Sequence, residues 1–131
     1  MFFFFHKLLV LLAALSMING VSAAVFFRSK PYWLKIHKSF NSSAGIFLFA
    51  GVLMAALMVF QQEGRHLNGL HPVIGLITFG LTVVSVLLGF YQFRAGARIK
   101  SVKSLHRALG RLTVIMIIGA LISGLIYAGI I

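Results

Sequence analysis

Four stretches of this chain, Phe2–Phe27, Phe40–Phe60, Leu70–Phe93 and Leu105–Ile131, are almost wholly apolar and carry no charge in their interiors. Each is long enough to cross a bilayer, which takes about 20 helical residues. Inside lipid every backbone N–H and C=O needs a partner within the protein, so runs of this kind are confined to helices. With 131 residues, 60% hydrophobic and 10% charged, the composition does not suit a soluble globule. The polar gaps are short, which favours antiparallel neighbours. The expected fold is therefore all-α: a four-helix transmembrane up-and-down bundle, one domain over 1–131, with helices at about 2–27, 31–60, 69–93 and 102–130.

Charge orients the bundle. Lys and Arg number twelve against a single acid, Glu63. The gaps around Arg28–Lys38 and Arg94–Lys103, with Arg107 and Arg111 at the start of the last span, hold ten of the twelve basic residues; Lys7 and Arg65 lie on the other side. By the positive-inside rule these two gaps face the cytoplasm. Both termini are then expected on the outer side of a plasma (inner) membrane. A nucleic-acid partner is not expected, because such a domain spreads its charge over a solvated face. There is no cysteine, so disulfides, thiolate metal sites and thiol catalysis are excluded.

Local signals refine the ends. Pro31 suits the first turn of the second helix, placing His37 nearly two turns inside it. Tyr32 and Trp33 read as interfacial anchors. Asn68 is a candidate N-cap for the third helix, and Ser101 or Ser104 for the fourth. Leu8–Leu15 followed by Val21-Ser22-Ala23-Ala24 has the look of a signal peptide, but Phe2–Phe5 replace the charged start and the apolar run continues through Phe27. The first segment is read as a retained membrane helix, with cleavage as the alternative.

The residues that carry chemistry are histidines. His6, His37, His71 and His106 are 31, 34 and 35 residues apart, one near the start of each span. His66, in the outer gap, stands apart. Since adjacent helices run in opposite directions, His6 and His71 share the outer level while His37 and His106 share the cytoplasmic one. His71 and His106 are each followed four residues later by a glycine, Gly75 and Gly110, on the same helix face. Bare backbone there leaves room for a flat, bulky group. Histidine is an axial ligand of haem iron, and facing helices can hold a cofactor between them. Lys35, Lys38, Arg107 and Arg111 are candidate partners for haem propionates. The plainer alternative is that histidines near helix ends are interfacial and that the lysines and arginines only set topology. Zinc also takes imidazole, but two histidines per level without cysteine or carboxylate make a poor zinc site. Serine-hydrolase and paired-carboxylate catalysis have no candidates, so no catalytic side chain is assigned.

These residues resemble the cytochrome b561 domain, in particular the four-helix core joined in some proteins to a DOMON module. The matching pieces are His6-Lys7-Leu8-Leu9, Trp33-Leu34-Lys35-Ile36-His37, His71–Gly75 and Leu105-His106-Arg107-Ala108-Leu109-Gly110-Arg111. The first two histidines lack the following glycine; Val10 and Asn41 stand there. The resemblance implies two b-type haems ligated by His6 with His71 and His37 with His106. It implies electron transfer across the membrane from a donor such as ascorbate to an acceptor such as ferric iron, with Arg28 helping to seat an anionic donor. The expected partners are membrane lipid and a small-molecule or protein electron donor and acceptor, with a homodimer or a redox partner subunit as further candidates. Two other readings stay open: a single-haem membrane anchor for a separate redox enzyme, and a haem-free structural membrane subunit.

Overall fold

The computed structural model of the chain describes residues 1–61 and 69–131. Glu63, Arg65, His66 and Asn68, which the sequence reading drew on, lie outside the described residues. Four α-helices follow in order: α1 (Phe2–Phe26), α2 (Trp33–Gln61), α3 (Leu70–Tyr91) and α4 (Ile99–Tyr127), the last preceded by a 3-10 turn, Gly96–Arg98. All four are long and apolar enough to span a membrane.

The side chains are distributed opposite to those of a soluble bundle. Large apolar groups such as Phe4, Phe49, Leu87 and Ile115 point outward, while the interior is built from Ala13, Ala14, Met17, Ala44, Leu48 and Ile117. Lipid tails solvate a leucine as well as a protein core does, so association relies on close packing of small residues. The buried polar groups Thr78, Thr82 and Thr113 follow the same logic. Each hydroxyl donates to the carbonyl four residues back, at 2.7 to 2.8 Å, and so needs no water. Among the described residues no buried side-chain nitrogen or oxygen is without a partner.

Helix α1 packs closely along α2, and α3 along α4, while the two hairpins touch each other sparsely through α2–α3 and α1–α4. Among the described residues no Cα of α1 comes within 8 Å of α3, nor any of α2 within 8 Å of α4. The bundle is thus a ring in chain order, with α1 facing α3 and α2 facing α4 across its diagonals.

Several helix ends differ from the sequence reading. Helix α2 begins at Trp33, because the chain first turns at Pro31; the Ile36 N–H reaches the Tyr32 carbonyl at 3.2 Å. His37 consequently lies little more than one turn inside. Helix α4 begins at Ile99, so Ser101 and Ser104 are within it rather than capping it, and its N-cap is Arg98 with no side-chain bond. At the other end α4 stops at Tyr127, not near 130. Gly129, at φ 66, lets the Ile130 N–H bond the Leu125 carbonyl and the Gly129 N–H bond the Ile126 carbonyl, both at 3.0 Å. This is a Schellman closure, for which glycine suits the left-handed position.

Candidate functional site

The four histidines come together in two pairs across the bundle diagonals. The His6 and His71 ring centroids are 6.2 Å apart with planes at 75°; those of His37 and His106 are 6.0 Å apart at 84°. One pair joins α1 to α3, the other α2 to α4. The pairing expected from helix direction matches this arrangement. Among the described residues no three of His, Cys, Asp or Glu gather in one place, so the unit is the imidazole pair.

Each ring is held from behind. His6 Nδ1 lies 2.8 Å from the Gly51 carbonyl, His37 Nδ1 2.8 Å from the Gly20 carbonyl, and His106 Nδ1 2.9 Å from the Ser85 carbonyl. A carbonyl only accepts, so in these three rings Nδ1 carries the proton and Nε2 keeps its lone pair. His71 Nδ1 lies 3.1 Å from Ser123 Oγ, whose own proton goes to the Ala120 carbonyl at 3.0 Å; that oxygen therefore accepts from His71 as well. Each ring thus has Nδ1 engaged by the neighbouring helix of its hairpin, and at His37 the Asn41 Nδ2 also stands 3.2 Å from Nδ1. A metal-binding histidine characteristically donates its second ring N–H to a backbone carbonyl in this way, which fixes the ring and raises its basicity.

The holding contacts follow a repeat that the histidine spacing alone does not reveal. On three helices the carbonyl that receives the neighbour's proton stands fourteen residues after that helix's own histidine, Gly20 after His6, Gly51 after His37 and Ser85 after His71; on α4 that position is Ala120, whose carbonyl takes the proton of Ser123, the partner of His71. In an antiparallel hairpin such a rule makes the two contacts mirror each other. Fourteen residues rise about 21 Å along a helix. The two pairs therefore sit at different depths within an apolar layer of about 30 Å.

Glycine makes these approaches possible. A Cβ at Gly89 would come within 3.0 Å of His106 Cε1, and one at Gly124 within 3.0 Å of His71 Cε1; one at Gly20 would collide with the Asn41 amide. Asn41 Nδ2 donates to the His37 carbonyl at 2.8 Å. Gly75 and Gly110, singled out from sequence, occupy different surroundings. A Cβ at Gly75 would meet nothing within 4 Å, and one at Gly110 only Ser85 Oγ at 3.7 Å. They leave space rather than carry a ring.

Two adjoining clefts open between the hairpins at the level of His37 and His106. One includes Leu34, His37, Lys38, Val86 and His106 in its lining; the other runs on through Met17, Thr82, Gly110 and Thr113. Asn41 and Val86 line both. Lys38 is the basic candidate that the structure brings to this cleft, its ammonium 4.6 Å from the Phe93 ring centre and 5.5 Å from that of Phe90. Arg28 stands one step removed, 5.6 Å over the Trp33 ring, with Trp33 6.2 Å from His37. Lys35, Arg107 and Arg111 are exposed. The residues missed from sequence are Gly20, Gly51, Gly89, Gly124, Ser123 and Tyr127. The last stacks on His71 at 6.0 Å and 27°. The available signal for most of them was the recurrence of a small residue fourteen or eighteen positions beyond each histidine.

The pairs fit an iron-bound cofactor. With an imidazole nitrogen about 2.0 Å from its metal and about 1.2 Å from its own ring centre, two rings sharing one metal have centres about 6.4 Å apart, close to both observed separations. The residues that would hold the groups are His6 with His71 and His37 with His106. Comparison with curated proteins and with solved structures finds no match. The sequence matches the family described as eukaryotic cytochrome b561 over residues 2–130, nearly its whole length. The chain belongs to the cytochrome b561 family, whose members are membrane haem-b electron-transfer proteins.

Proposed function

We propose that the chain is a di-haem cytochrome that carries electrons across the membrane, from a reductant on the basic side to an acceptor on the other. The observation that supports it most is the pair of diagonal histidine couples, each ring with Nδ1 engaged and Nε2 left for a metal. Bound b haem supplies an iron that cycles between ferric and ferrous by single electrons. The protein's part is mostly restraint. Two imidazoles per iron would leave no open coordination position, which would favour outer-sphere transfer over oxygen activation. The carbonyls of Gly20, Gly51 and Ser85 hold the rings in place whichever way the electron moves. The apolar core of Ala13, Ala14, Met17, Ala44, Leu48 and Ile117 lies between the two levels and excludes water.

The basic side is read as cytoplasmic, with both termini outside, on the positive-inside rule. Lys38 at the cleft, and Arg28 beyond Trp33, suit an anionic donor of the ascorbate type, drawn by a surface nearly free of acids. A ferric complex is the corresponding acceptor. Lys35, Arg107 and Arg111 add to the field rather than to the site. The test is vectorial. The protein is reconstituted in vesicles loaded with ferricyanide, and ascorbate is added outside. Reduction of the trapped ferricyanide supports the function. A rate no higher than in vesicles lacking the protein, from a preparation that contains haem, refutes it.

A further inference from the structure

Three of the four histidines pass their Nδ1 proton to a backbone carbonyl; His71 has a serine hydroxyl there instead. The fourteen-residue rule assigns it the Ala120 carbonyl. Ser123 intervenes, however. Its hydroxyl lies 3.1 Å from His71 Nδ1 and donates to that same carbonyl at 3.0 Å. The carbonyl takes the serine proton, and the His71 proton goes to a neutral hydroxyl oxygen. The surroundings hold the ring in this position. Gly124 admits it against the α4 backbone, and Tyr127 stacks on its face.

We propose that Ser123 is a positioning residue that sets the reduction potential of the haem held by His6 and His71 above that of the haem held by His37 and His106. The proposal rests on the reading of His71 as an iron ligand. The chemistry is that of the second ring nitrogen. A strong acceptor on Nδ1–H draws the imidazole toward imidazolate, makes Nε2 a better donor and stabilises ferric iron; a weakened acceptor does the reverse. His6, His37 and His106 each face a backbone carbonyl rather than a hydroxyl, so the weakening falls on one ligand of one pair. When an electron passes from the His37–His106 level to the His6–His71 level, one iron is oxidised and the other reduced, with no bond or proton exchanged. The difference in potential makes that direction downhill.

The test is a redox titration of purified protein, followed in the visible bands after haem content has been measured. His106→Ala is expected to keep only the haem of the His6–His71 level, and His71→Ala only the other. With Ser123 intact, the haem kept by His106→Ala should be the easier to reduce. In the full protein, Ser123→Ala frees the Ala120 carbonyl for His71 alone. One of the two potentials should then fall by about tenfold in the reduction equilibrium, about 59 mV for one electron. The other should stay, and Ser123→Thr should restore the original value. Equal potentials in the two histidine variants, or an unchanged or raised potential in Ser123→Ala, would overturn the inference while leaving a two-haem protein standing. A wild-type preparation without haem would overturn the functional reading itself, and the inference with it.

Discussion

Substituting Gly89 by alanine tests whether the histidine rings are held to metal-binding tolerance. The added methyl would stand 3.0 Å from His106 Cε1, whereas carbon atoms settle at about 3.5–4.0 Å. The ring must therefore retreat by about 0.5 Å, while a metal site tolerates about 0.2 Å in its ligand distances. Cε1 lies between the two ring nitrogens, so the displacement disturbs both the 2.9 Å bond to the Ser85 carbonyl and the placement of Nε2. Losses of outer-shell support of this kind cost about 10–100-fold in affinity, or about 1.4–2.8 kcal/mol. The effect should be confined to the His37–His106 level. Gly80→Ala is the matched control, because a Cβ there meets nothing within 4 Å. The assay is haem bound per chain against added competing haem-binding protein. Gly89→Ala should release one haem readily and keep the other, and Gly80→Ala should behave as wild type. If Gly89→Ala holds both haems as tightly as Gly80→Ala does, the argument for a close-fitting ring is wrong.

Other outcomes follow from the same geometry. Gly124→Ala, which places a methyl 3.0 Å from His71 Cε1, should weaken the opposite level instead, and the double glycine variant should weaken both, as read by the same competition. In detergent, Ile117→Ala should destabilise the bundle by about 2–5 kcal/mol, since the side chain is fully buried. Thr113→Val should cost about 1 kcal/mol, because its hydroxyl bonds only a carbonyl already within the helix; thermal melting compares the two. Lys38→Gln should slow reduction by an anionic donor severalfold and flatten its dependence on salt, with little change for a neutral donor. Single cysteines at Ser29 and at Ile130 should be labelled by an impermeant reagent from opposite sides of the membrane, Ser29 from the cytoplasm.

Helix number, order and the histidine pairing were legible in the sequence because they depend on long apolar runs and on the alternating direction of successive spans. The diagonal arrangement was not, since it depends on which hairpins pack tightly. Nor were the small residues that hold the rings. Gly20, Gly51, Gly89 and Gly124 look like general packing glycines until the antiparallel register sets each beside a particular histidine. Gly75 and Gly110 were conspicuous through their nearness to His71 and His106 in sequence, yet the rings rest on the neighbouring helix, not their own. Helix starts were misjudged where local caps suggested them. In α4 no side-chain cap forms, and the helix runs back to Ile99 through a 3-10 turn. Ser123 and Tyr127 lay near the chain's end in an apolar run, where only the fold relates them to His71.

The central claim is that two histidine couples each grip one iron. Purified protein reconstituted with haem should contain two haems per chain, and its electron paramagnetic resonance spectrum should show low-spin ferric iron with two nitrogenous axial ligands at both sites. High-spin iron, a single haem, or two haems that survive replacement of all four histidines would contradict it.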